Sequence, residues 1–195
     1  MNNHIIYLLA LAAFLAIAIL LHKLYSCMSD SSIASPKPYS FSRVQMVWWS
    51  FIVIAGFISI VIASGQVPTF DRSTLILLGI GTLTTLSARL IDISDKQNPP
   101  DSGNDISVNH SGQGFLMDIL SDNNGVSIHR LQAFLFNFIF GLWFIYRTYK
   151  GIPDATVMAS VDKISGILPI ITDNNLVLLG LSAGTYVALK TTENK

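Results

Sequence analysis

From residue 118 to 132 the chain reads Asp-Ile-Leu-Ser-Asp-Asn-Asn-Gly-Val-Ser-Ile-His-Arg-Leu-Gln, which crowds carboxylates, carboxamides, a serine, a histidine and an arginine into one stretch. Such a set could bind calcium or carry out acid/base chemistry. An EF-hand loop needs oxygen ligands at alternate positions, then a glycine, then a bidentate glutamate six residues beyond it. Asp118, Leu120 and Asp122 break that alternation, and Leu131 stands where the glutamate would fall. General acid/base work would want His129 or Asp122 beside a nucleophile and an orienting partner. Neither a Ser/His/Asp set, an HExxH pair nor a nucleotide-binding glycine loop is written in the chain. Cys27 is the only cysteine, so an internal disulfide is impossible and a Cys/His zinc site has too few ligands. The expectation is a protein without catalytic residues, metal or cofactor, and not an enzyme.

The same stretch is accounted for as helix punctuation. Gly114 to Ser121 places Phe115, Leu116, Ile119 and Leu120 on one side and Asp118 opposite, the pattern of a short amphipathic helix. Asn123-Asn124-Gly125 ends it, since Asn and Gly tolerate the left-handed backbone. Ser127 then stands where it can cap the next helix. Arg130 is left over, because a cation at a helix N-terminus opposes the macrodipole. The same oddity recurs at Arg43, and the role expected of both arginines is contact with a lipid phosphate, with a cytoplasmic anionic ligand, or with a carboxylate such as Asp118, Asp122 or Asp92.

The elements that position these residues follow from composition. Of 195 residues 51% are hydrophobic and 12% charged, against about 25% charged in a soluble domain. The apolar runs have the ~20 residues that a helix needs to cross a bilayer core. Five spans are expected, near 5–22, 44–63, 74–91, 131–149 and 174–191, in an all-α polytopic membrane bundle. Twelve basic and twelve acidic residues cancel, so no global field recruits nucleic acid.

An internal repeat organises the spans. Ser40-Phe41-Ser42-Arg43-Val44-Gln45 aligns with Ser127-Ile128-His129-Arg130-Leu131-Gln132, each opening an aromatic-rich span with Trp48 and Trp49 or with Trp143. Val67-Pro68 and Leu75 to Ile80 align in turn with Leu168-Pro169 and Leu176 to Leu181. The chain therefore divides into an anchor (1–25), a linker (26–39), a first hairpin (40–91), a cytoplasmic linker with a short amphipathic helix (92–126), and a second hairpin (127–195). Each hairpin holds two spans, so both enter the membrane in the same direction, related by an axis along its normal. The second carries an insertion, 150–173, expected to lie on the extracytoplasmic surface as a helix capped by Asp154, with Val157, Val161, Ile164 and Leu168 in register. Residues 26–38 and 94–113 are Ser-, Asn-, Asp- and Pro-rich and are expected to be mobile.

With the N-terminus outside, eight of the twelve basic residues fall on the inner side, which the positive-inside rule favours. The reading is a bacterial inner membrane protein with a cytoplasmic C-terminus. Arg89 and Lys190 end the second span of each hairpin and are expected to snorkel to headgroups. Those shorter second spans are expected at the centre, with the Trp-rich first spans toward lipid. No charge sits mid-span, which removes the usual mark of proton relays and voltage sensing. Uncharged polarity remains: Gln45, Gly81, Thr84, Thr85, Gln132, Asn137, Gly180 and Gly184 are expected either to pack helices together or to face a pore.

Phe115 to Asp122 with Gly125, Ser127, His129-Arg130 and Gln132, together with Leu179 to Tyr186 (Leu-Gly-x-Ser-x-Gly-Thr-Tyr), resembles segments of a group of uncharacterised bacterial multi-span membrane proteins. The resemblance covers mainly the second hairpin and implies no activity. Small bacterial membrane proteins of this size are often associated with anti-phage defence, which is an association only. The functional expectation is an oligomeric channel-like or membrane-perturbing effector. The alternative is a non-catalytic scaffold or sensor subunit. Partners are then membrane lipids, further copies of the chain, and a cytoplasmic protein docking through 92–126.

Overall fold

The computed structural model describes residues 2–30, 32, 34–97, 111–122, 125–152 and 164–193. Its helices are α1 (Asn3–Tyr25), α2 (Phe41–Ser64), α3 (Arg72–Gln97), α4 (Phe115–Leu120), α5 (Ile128–Gly151) and α6 (Asp173–Glu193). Among the described residues the only sheet is the two-residue hairpin of β1 (Ser121–Asp122) and β2 (Gly125–Val126). The chain is all-α, as its composition predicts.

Helix ends are set locally. The Asn2 side chain accepts from the His4 amide at the start of α1, and α1 stops where Ser26 turns left-handed. Gly65 stops α2 at φ 70, returning its amide to the Val61 carbonyl. At the start of α3 the Asp71 carboxylate accepts from the Ser73 hydroxyl and from the Ser73 amide at 2.7 Å, which holds its pKa below the ordinary carboxylate value. Ser127 occupies the capping position of α5, but its side chain makes no cap bond there. The expected serine cap is not formed.

Four helices, Asn3–Tyr25, Phe41–Ser64, the Arg72–Ser94 part of α3, and Ile128–Gly151, are long and apolar enough to cross a membrane. Their outer surfaces agree: on α1 alone Leu8, Leu9, Leu15, Leu20 and Leu24 are exposed, a display that lipid and not water tolerates. The fifth expected span coincides with α6, which is equally helical but polar at both ends, with Asp173-Asn174-Asn175 and Lys190.

α2, α3, α6 and α5 form the four sides of a bundle, and α1 lies along α2. Phe41 at the start of α2, Ala133 at the start of α5, Ala88 late in α3 and Tyr186 late in α6 meet in one cluster under Ile119 of α4. Both hairpins therefore run the same way. Equivalent helices are neighbours, α2 beside α5 and α3 beside α6, whereas a twofold along the bundle axis would set equivalents on diagonals. The hairpins are stacked side by side instead, which corrects the expected symmetry axis. The expected layering is also inverted: α2, touched by α1, α3, α4 and α5, is the central helix. Trp49 is 1% exposed, and of the three tryptophans only Trp143 faces outward.

Polar bonds and close approach explain that inversion. The Trp49 indole donates to the Asn137 side-chain oxygen at 2.7 Å, and Trp48 donates to the Asn137 backbone carbonyl at 3.1 Å. Asn137 donates in turn to the Ala133 carbonyl. One turn on, a Cβ at Gly141 would fall inside the Trp48 indole, so only glycine lets the ring seat. Between lipid-soluble helices, packing and such bonds are the main attraction. The insertion behaves differently from expectation as well. Asp154, Val157 and Val161 lie outside the described residues, but Ile164 and Leu168 are core residues, and Leu168 presses on Gly56. A purely surface helix is not what their burial describes.

Asn137→Leu should cost about 2 kcal/mol, because it strands the buried Trp49 indole without an acceptor. Adding Trp49→Phe should return part of that loss. Thermal unfolding of the four members of this cycle in detergent checks it; strict additivity would contradict the bond.

Candidate functional site

The bundle end that carries the starts of α2 and α5 is closed by two polar segments. Residues 28–40 double back on themselves: the Asp30 amide donates to the Pro38 carbonyl and the Ser40 amide to the Met28 carbonyl, both at 2.8 Å. The Gly112 amide reaches the Pro36 carbonyl at 2.7 Å. Asp118 of α4 joins the two, accepting from the Tyr39 amide at 3.0 Å and the Gln113 amide at 2.7 Å. Residues 26–38 were expected to be mobile for want of apolar side chains. Among their described residues, backbone pairing and Asp118 supply order instead. Most of the second stretch, 98–110, lies outside the described residues.

Beneath this cap sits a buried cation. Lys190 Nζ is 2.8 Å from Asp92 Oδ1 and 3.5 Å from Asp30 Oδ2. The Lys190 and Asp92 side chains are each 4% exposed. The expected snorkelling of Lys190 is therefore corrected: the lysine points inward, because two carboxylates from α3 and the 28–40 loop meet it there. Burying a charge this deeply is tolerated only with such partners. The triad ties α6, α3 and the first linker into one unit.

Arg130 completes the arrangement. Its guanidinium donates to the Ser121 carbonyl of β1 at 2.6 Å and lies over the Tyr186 ring, 5.5 Å from its centre. That explains a cation in the first turn of α5: it fastens the β-hairpin and α6 together, and both the donor fork and the aromatic face favour arginine. The helix end expected at Asn123-Asn124-Gly125 comes earlier: α4 stops at Leu120, where Ser121 is extended and pairs with Val126 in this hairpin, with Gly125 at φ 106. Residues 123 and 124 themselves lie outside the described residues.

Asp30, Tyr39, Asp118, Arg130, Tyr186 and Lys190 line a cleft of about 360 Å³ in this cap. Its lining mixes guanidinium, ammonium, carboxylate and phenol groups, with Arg130 over the Tyr186 ring and Lys190 beside Asp30. Of the residues singled out from sequence, Arg130 lines the cleft and its counterpart Arg43, partly buried in the first turn of α2, does not. Thr85 bonds across helices to the Ser42 carbonyl at 3.1 Å, whereas Thr84 bonds back to Ile80 of its own helix. Gly81 packs against Met46 and Gly180 against Ile80. Gln45 is buried with its Oε1 unpartnered, while Gln132 and Gly184 are exposed. Asp30, Asp92, Lys190 and Tyr186 were missed as a set. Tyr186 and Lys190 are four apart on one helix face, a spacing visible in sequence, but nothing there joins them to Asp30.

No protein-family model, curated protein or solved structure matches the chain.

Lys190→Met should cost about 3 kcal/mol, because it leaves Asp92 and Asp30 facing each other in a nearly dry site. Asp92→Asn added to it should recover stability. Melting curves of both variants at neutral pH check this, and a double variant no more stable than the single one would contradict it.

Proposed function

We propose that the chain is a membrane scaffold or sensor subunit of a bacterial inner membrane, N-terminus outside, whose capped end docks a segment of a cytoplasmic partner. One observation carries the reading: two polar segments that could have been free linkers are ordered at the bundle end, the first by Asp30 in the Lys190–Asp92–Asp30 triad and the second by Asp118 and the Pro36 carbonyl, and they border a cleft lined by both signs of charge. A rigid, mixed-charge concavity suits recognition of a polar segment, since its groups are already oriented before the partner arrives. Met117, 45% exposed on the cleft rim, is free to change without disturbing the core. Met117→Arg should abolish co-purification of the partner while shifting stability by under about 0.5 kcal/mol. Retained capture of the partner by that variant would sink this reading.

A second reading, an oligomeric channel-like or membrane-perturbing effector that could act in defence, has its own support. Gly184 and Thr185 are uncovered on α6, and a Cβ at Gly184 would meet open space, so small polar surface is left to another copy. Gly184→Leu should then dissociate the oligomer and prevent any depolarisation seen with a membrane-potential dye on expression. An unchanged mass in detergent and an unchanged potential count against it.

A further inference from the structure

The segment formed by α4 and the β-hairpin has two chemically different sides. Met117, Asp118, Ser121 and Asp122 line the polar cleft. Away from the cleft, Phe115 and Leu116 of α4, Val126 of β2 and Ile128 in the first turn of α5 are uncovered, the last two 58% and 76% exposed.

Ile128 also begins a stripe on α5. It continues through Leu131, Leu135 and Ile139, all exposed and three or four residues apart, along a helix long and apolar enough to span a membrane. Ile128 is therefore in line with the face that meets lipid. Phe115 is tied to the same face independently: it borders a groove of about 340 Å³ whose other walls include Leu15 of α1 and Phe134 and Phe138 of α5, all on candidate spans.

Helix length sets the depth. α5 has 24 residues, roughly 36 Å at 1.5 Å per residue, which exceeds a ~30 Å hydrocarbon core. With both ends projecting, its first turn lies in the headgroup layer. A segment with one polar side, and an apolar side held at that level, has the make-up of an interfacial element whose apolar groups sink ~5–10 Å into the boundary between headgroups and acyl chains.

From these features we infer that α4 and the β-hairpin form a lipid-docking surface: Phe115, Val126 and Ile128 insert into the leaflet at the capped end, while the cleft side stays in water. The partner is the lipid surface itself. The α4 wall of the cleft is then backed by lipid, whatever the cleft binds.

The test uses the full chain in phosphatidylcholine–phosphatidylglycerol nanodiscs on a Cys27→Ser background, with one nitroxide at a time placed through Val126→Cys, Ile128→Cys, Met117→Cys or Ile139→Cys. All four sites are exposed, so the labels leave the core undisturbed. Spin relaxation by oxygen, which concentrates in lipid, is compared with relaxation by a water-soluble nickel chelate. Oxygen should dominate at Val126 and Ile128 and more strongly still at Ile139 in mid-span, and the balance should invert to the chelate at Met117. Dominance of the chelate at Val126 and Ile128 would place the cap off the membrane in water. Dominance of oxygen at Met117 would sink the whole segment in lipid, and weak relaxation by both reagents at Val126 and Ile128 would mean a surface covered by protein. Each of these outcomes overturns the assignment. Dominance of the chelate at Ile139 would overturn the span, and the inference with it, so that failure is distinguishable from failure of lipid docking alone.

Discussion

In hydrocarbon, helices gain nothing by hiding apolar surface from one another, so what holds them must be contact area and polar bonds made where no water competes. Here one such knot joins the two hairpins: two adjacent indoles of α2 donate to Asn137 of α5, beside a glycine that lets the ring enter. The position of α5 against α2 follows from it. That seat is the polar part of the side-by-side contact between the hairpins, which α3 and α6 continue by packing on each other.

The capped end obeys a different rule. It meets water, and its order comes from charge drawn inward: Lys190 lies beneath the loops with Asp92 and Asp30, while Arg130 bridges the β-hairpin and Tyr186. A buried ion pair is a poor source of net stability but a strong source of geometry, since misplacing one member leaves charge uncompensated. The triad therefore specifies where the first linker sits more than it adds to the folding free energy.

Much of the helical framework was legible. Span lengths, the short α4 and the common direction of the hairpins all follow from periodicity and the aligned Arg-x-Gln segments. The site was legible only in part. Arg130 stood out because it violates the macrodipole, a local rule that sequence can test. Lys190 did not stand out, because a lysine after an apolar run reads as snorkelling unless a carboxylate is known to be waiting, and Asp30 waits 160 residues away. Residues 28–40 misled for a similar reason: a segment poor in apolar side chains can still be ordered by backbone pairing with distant chain.

The stacking of the two hairpins has a consequence for growth. A head-to-tail contact between like units has no reason to stop and in principle builds a fibre. Two divergences make this contact one-way. Where α5 has Asn137 and Gly141 to receive the indoles, the aligned positions of α2 are Ser50 and Ile54; where α2 has Trp48 and Trp49 to donate, α5 has Leu135 and Phe136. Each hairpin carries one half of a lock that the other completes, so the two aligned units are not interchangeable and the contact between them runs one way within the chain.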